Sequence, residues 1–148
     1  MTGLYTHETI DIAARPEAVW QMLTDPALTR RYMFGCEAVS DWKVGSPLLW
    51  RGELEGKPTV FVTGTVVTFQ PHELLEYTTF DPHGGLRDVP ENHVTMSCRL
   101  TPLPGGVTRL ELRQGDFSKV EQGEKRFRDS QQGGGQILGQ MKAIAESL

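Results

Sequence analysis

Four histidines, two cysteines and a triple glycine are the residues whose types could carry reaction chemistry in this chain. Such chemistry needs fixed spacings, because metal ligands must reach one ion and an acid–base pair one substrate. His7, His72, His83 and His93 are scattered, with no HxH or HExxH spacing. Asp81, His83, Asp88 and His93 converge only if residues 80–91, the longest irregular stretch, fold back on themselves. Loop polarity is the simpler account, and no metal centre is expected. Cys36 and Cys98 form no CxxC pair and have no local base, and the chain contains no GxSxG elbow. Both read as free thiols, Cys98 as a small buried apolar group and Cys36 at a helix–strand junction. Gly133, Gly134 and Gly135 lack the strand and the Lys-Ser/Thr of a phosphate loop, so they read as a flexible start to the last helix. No catalytic residue, metal or cofactor is expected.

Binding chemistry has more support. Trp20, Met33, Phe34, Trp50, Tyr77, Met96, Phe117, Phe127 and Met141 are aromatic or sulfur-bearing side chains suited to an apolar ligand cavity. Taken singly, each is better explained as core. Tyr77 is the most informative, because a buried hydroxyl needs a partner from water or ligand. Arg30 and Arg31 could set a cation at the mouth of such a cavity, although solvated helix charge is the better account.

The elements that must position these residues follow from periodicity. Residues 9–14 alternate, with Ile10 and Ile12 on one face, as a strand does. Pro16 suits the first turn of a helix, and Val19, Trp20 and Leu23 form its apolar stripe up to Asp25-Pro26. Pro26 starts a second helix with Leu28, Tyr32 and Met33 inward and Gly35 as its stop. Strands then alternate with turns at residues 45–47, 54–57 and 70–72. Gly64 marks a bulge or strong bend within residues 59–69. Val94, Met96, Cys98 and Leu100 face one way along the clearest strand, and Leu110 and Leu112 face inward along the next. Ile137, Leu138, Met141, Ile144, Ala145 and Leu148 recur at helical spacing. The order is β-α-α, about six strands, and a closing helix. A sheet with one apolar face needs a cover, and this last helix is the long element available. The expected class is α+β: a helix-grip fold, a curved antiparallel sheet of about seven strands around a long C-terminal helix, with two short helices after the first strand.

At 148 residues the chain fits one domain, residues 1–148. With 38% hydrophobic residues, 23% charged and a net charge of −4, it has no basic footprint for nucleic acid. Residues 125–128 are the nearest to a basic patch, and Glu121, Glu124 and Asp129 offset them. No apolar run reaches the roughly 20 residues that span a bilayer. Residues 1–12 lack the pattern of a secretion signal, so the cytoplasm is the expected location.

The runs PEAVWQMLTDPALTRRYM, SDWKVGSPLLWRG and GTVVTFQPHELLEY resemble the activator of heat-shock-protein ATPase homologue family. That family lies within the START-like, or SRPBCC, superfamily, with plant pollen allergens and polyketide cyclases. The resemblance covers nearly the whole chain and rests on Pro16, Val19-Trp20, Thr24-Asp25-Pro26, residues 41–45, Gly64, and Leu75 with Tyr77. It implies the same helix-grip fold. Members often close with Gly-Trp and an Ile-Leu pair. Here Ile137-Leu138 are present, but Gly stands near 134 where the Trp is expected. A wider crevice, or Phe117 or Phe127 in place of the ring, would follow.

Three functions are in view. The first is a non-catalytic protein holding a small apolar or amphipathic molecule between sheet and helix. The second is an enzyme of the cyclase, aromatase or hydrolase type that uses polar groups such as Tyr77 and His93. The third is a chaperone-associated module. Eukaryotic co-chaperones of the resembled family carry a further N-terminal domain that is not expected here, which ranks a chaperone partner last. A homodimer could form by pairing of an exposed strand near residues 57–63.

Overall fold

A computed structural model of the chain describes residues 3–132 and 134–148. Strand β1 (Thr6–Ile12) leads into α1 (Pro16–Thr24) and the single turn α2 (Pro26–Thr29). Six strands follow: β2 (Glu37–Ser40), β3 (Pro47–Leu54), β4 (Lys57–Gln70), β5 (Leu74–Thr79), β6 (Val94–Leu103) and β7 (Val107–Gly115). Two helices close the chain, α3 (Gly123–Gln132) and α4 (Gly134–Glu146). The seven strands form one antiparallel sheet in the order β1-β7-β6-β5-β4-β3-β2. The first two strands therefore occupy opposite edges, and α1 and α2 carry the chain from one edge to the other. This is the α+β helix-grip architecture expected from the pattern.

Local chemistry explains the elements. Pro16 and Pro26 stand at the first turns of their helices, where the missing N–H has no intrahelical acceptor anyway. The Asp25 carboxylate caps α2 by accepting from the Ala27 N–H at 2.9 Å. The hydroxyl of fully buried Thr29 accepts from the Ala38 N–H at 2.9 Å, which ties α2 to β2. The β3–β4 hairpin turns on Glu55 and Gly56, both at positive φ (52° and 79°), as a two-residue primed turn requires.

Curvature comes from β4. Its first half pairs with β3, and its second half pairs with β5 from Val66 onward. Register shifts fall at Trp50/Arg51 and at Val66/Thr68. Gly64 lies between them, and a Cβ there would stand 1.7 Å from the Thr78 carbonyl oxygen. Only a residue without a side chain permits that approach. Residues 57–62 of this strand pair with β3 on one side only, since Thr63 meets Phe80 in a single bridge and β5 joins from Val66 onward.

The main core lies between the sheet and the pair α1 and α4, with Ile12, Val19, Met22, Leu75, Leu110 and Ile144 among its buried members. A smaller one gathers Cys36, Ala38, Leu48, Trp50 and Val66 at the β2 end. Three details depart from the periodicity. The second helix ends at Thr29, and turns rather than helix lead to Gly35. The polar segment before the last helix is itself helical, as α3. Leu148 lies beyond α4 and is exposed rather than on its buried stripe. Of the triple glycine, Gly134 and Gly135 belong to α4, and Gly133 is outside the described residues.

Candidate functional site: a cavity between sheet and helices

The inward faces of the middle strands make the wall of a cavity of about 410 Å³. Register sets its layers. One cross-strand row runs Glu8, Leu112, Cys98 and Leu75, and the next runs Thr6, Gln114, Met96 and Tyr77. Side chains of one row share a face because the strand period is two. Tyr32 and Met33 from the turns after α2 also line the cavity, as do Trp50 and Val62 from the curved end. Phe117 lies just beyond β7, and Ile137 and Met141 come from α4.

Polar groups are few and specific. Glu8, Thr6, Thr79 and Gln114 come from strands, Asp81 from the loop after β5, and Arg126, Asp129 and Ser130 from α3. Gln114 Nε2 donates to Thr79 Oγ1 at 3.2 Å, and that hydroxyl donates to the Val94 carbonyl at 3.1 Å. The Tyr32 hydroxyl donates to the Met22 carbonyl at 3.1 Å. Arg126 donates to the Asn92 carbonyl at 2.9 Å.

Burial governs ionisation. It pushes the Cys98 thiol up to about 12, with the Glu76 charge adding to the effect. It also raises the Tyr77 phenol well above its ordinary value, assisted by Cys98 and Tyr32. Both groups stay protonated at neutral pH and can serve a ligand as donors. Desolvation lowers the Arg126 guanidinium from its ordinary value, against the nearby charge of Asp81.

The structure brings Met33, Trp50, Tyr77, Met96, Phe117 and Met141 together in this wall. Trp20, Phe34 and Phe127 lie elsewhere. Trp20 is buried in the main core, edge-on to Phe69 at 5.3 Å. Phe34 is 81% exposed, because its left-handed φ of 54° turns the side chain away just after Met33 turns in. Phe127 packs edge-on against Phe117 at 5.9 Å, from behind the wall. Of the two aromatics named for the place of the missing Trp, Phe117 is thus in the cavity wall and Phe127 supports it.

The other reactive candidates separate. His93 stacks on Phe80 at 4.8 Å and meets Asp88 at 2.7 Å, outside the cavity lining that holds Tyr77. His83 Nε2 meets the Val60 carbonyl at 2.8 Å. Among the described residues no three His, Cys, Asp or Glu side chains gather as a metal site. Cys36 and Cys98 are both free and buried. Arg30 approaches Glu37 at 4.0 Å, and the cation that reaches the cavity is Arg126 instead. Sequence reasoning passed over Arg126 because Lys125 to Arg128 looked like a neutralised surface patch. Arg126, Asp129 and Ser130 are spaced i, i+3 and i+4, which would have marked one helix face had the segment been read as helical.

Comparisons with known proteins agree with the architecture. A family described as "Activator of Hsp90 ATPase homolog 1-like protein" matches residues 13–146. No curated protein matches the chain. The solution structure of a protein from Cytophaga hutchinsonii is 34% identical, covers 99% of this chain and 97% of its own, and superposes with a TM-score of 0.77. A Nitrosomonas europaea protein shares the fold at 17% identity, covering 97% and 95%, with a TM-score of 0.74. An Hsp90 activator from Plasmodium falciparum does so at 19% identity over 77% and 74%, with a TM-score of 0.60. With a helix-grip fold, a family match over nearly its full length and a one-third-identical structural relative, this chain belongs to the activator of Hsp90 ATPase homolog 1-like family.

Proposed function

We propose that this protein is a non-catalytic carrier of a small apolar or amphipathic molecule, held in the cavity between sheet and helices. The observation that carries the reading is the cavity itself. Its volume of about 410 Å³ falls in the range of small-molecule sites, and its wall is apolar with a few polar groups at defined positions. Protonated Tyr77 and Cys98 offer donors inside that wall without a neighbouring histidine to act as a base. The cytoplasm is the proposed location. Among the described residues no helix is long and apolar enough to cross a membrane.

Native mass spectrometry of the purified chain tests the reading. A copurifying small molecule, lost in a Met96→Trp variant that fills the wall, is the expected result. A bare chain that also binds no apolar probe, with identical behaviour of the filled variant, would overturn it.

A second reading, a chaperone-associated module, draws on the description of the family and on the exposed Phe34 ring. It predicts retention of the cytoplasmic chaperone in a pull-down and its loss in Phe34→Ser. Equal retention by that variant removes the support from Phe34.

A further inference from the structure

Among the described residues, Arg126 is the one cation in a wall that is otherwise apolar or carries neutral and acidic groups. A guanidinium has five N–H donors. One goes to the Asn92 carbonyl, and Asn92 is itself fixed, its amide donating to the Arg87 carbonyl at 2.9 Å and accepting from the Glu121 N–H at 3.2 Å. That contact holds the guanidinium at the cavity without neutralising it. Arg126 forms no ion pair within 4.0 Å among the described residues, whereas Arg87 pairs with Glu121 and Arg109 with Asp11. Nearby carboxylates are engaged or exposed. Asp129 pairs with Lys125 at 2.9 Å, and exposed Asp81 accepts from the His83 N–H at 2.8 Å.

A partly desolvated cation with open donors is costly until an acceptor fills them. The planar fork of a guanidinium matches a carboxylate bidentately. Met33, Met96 and Met141 supply a flexible, polarizable lining that adapts to an irregular apolar body. We infer that the cavity takes an amphipathic monocarboxylate, its carboxylate on the Arg126 fork and its apolar body along the three methionines. The inference deepens the carrier reading above and rests on it. Glu8 of β1, Asp81 and Asp129, also in the wall, are the groups that would favour an amine instead.

Calorimetry on the whole chain, stripped of bound lipid, with decanoate, decanol and decylamine tests this. Decanoate should bind about tenfold more tightly than decanol, the worth of a charge-assisted hydrogen bond, and decylamine should bind most weakly. R126Q should abolish the preference while leaving decanol affinity within about twofold, and R126K should keep part of it. Equal binding of decanoate and decanol by the unaltered chain overturns the inference but leaves the carrier reading standing. So does equal weakening of both by R126Q, or decylamine binding most tightly. If none of the three probes binds, the carrier reading fails and the inference with it.

Discussion

The two closing helices, α3 and α4, are neighbours in the chain and opposites in role. Helix α4 buries Leu138, Met141, Ile144 and Ala145 against α1 and β1, as the grip of the fold demands. Helix α3 buries none of its residues fully, yet sends Arg126, Asp129 and Ser130 to the cavity. A helix whose apolar face closes the core has little freedom to change its residues. A helix held by the Phe127–Phe117 contact and the Arg126–Asn92 hydrogen bond can carry polar groups to a cavity at small cost in stability. In this chain α3 lends the cavity its Arg, Asp and Ser groups, while α4 closes the core and adds Ile137 and Met141 to the same wall.

Four substitutions or conditions would break or sharpen that contrast. Ile144→Ala, at a site 4% exposed in α4, removes core atoms and leaves a cavity, so urea unfolding should show a loss of about 2–5 kcal/mol. Phe127→Ala on α3 gives up a half-buried ring. The loss should be smaller, about 1–2 kcal/mol, by the burial value of an aromatic side chain. A loss equal to that of Ile144→Ala would show that α3 belongs to the core after all. Lys125→Ala breaks only the exposed pair with Asp129, and stability should stay within about 0.5 kcal/mol.

The smallest effect is one of pH. The Glu146 carboxyl at the end of α4 is held below its ordinary range by Lys142 and by the Ala13 N–H, which donates to it at 2.8 Å. A carboxyl depressed on folding adds stability that is whole above the ordinary carboxylate range and is lost as pH falls through its lowered value. Urea midpoints of the unaltered chain should therefore drop on acidification more than those of Glu146→Gln. Parallel acid profiles for the two would show that the exposed pair contributes nothing measurable.

Legibility followed the same divide. The stripe from Ile137 to Ala145 announced α4, Pro16 and Pro26 announced α1 and α2, and alternation announced β6 and β7. These signals are strong because burial forces a period on the residues. Segment 123–132 has no such period, being polar nearly all round, so its helix was invisible and Arg126 passed as surface charge. Phe34 shows the reverse error: a large ring beside an inward Met33 looked like lining, but a left-handed backbone angle at that one residue sends it to solvent.

By itself the sequence determined the helix-grip order, the break in strand regularity around Gly64 and the apolar inner face of the strands, because turn residues and periodicity act locally or face by face. The tertiary structure decided which of those apolar residues surround a space and which fill one, since that depends on how the curved sheet and α4 meet. It also decided that Arg126, from a helix without an apolar stripe, stands at that space. Its partner there, the Asn92 carbonyl, is 34 residues away in sequence, and no local pattern records such a contact.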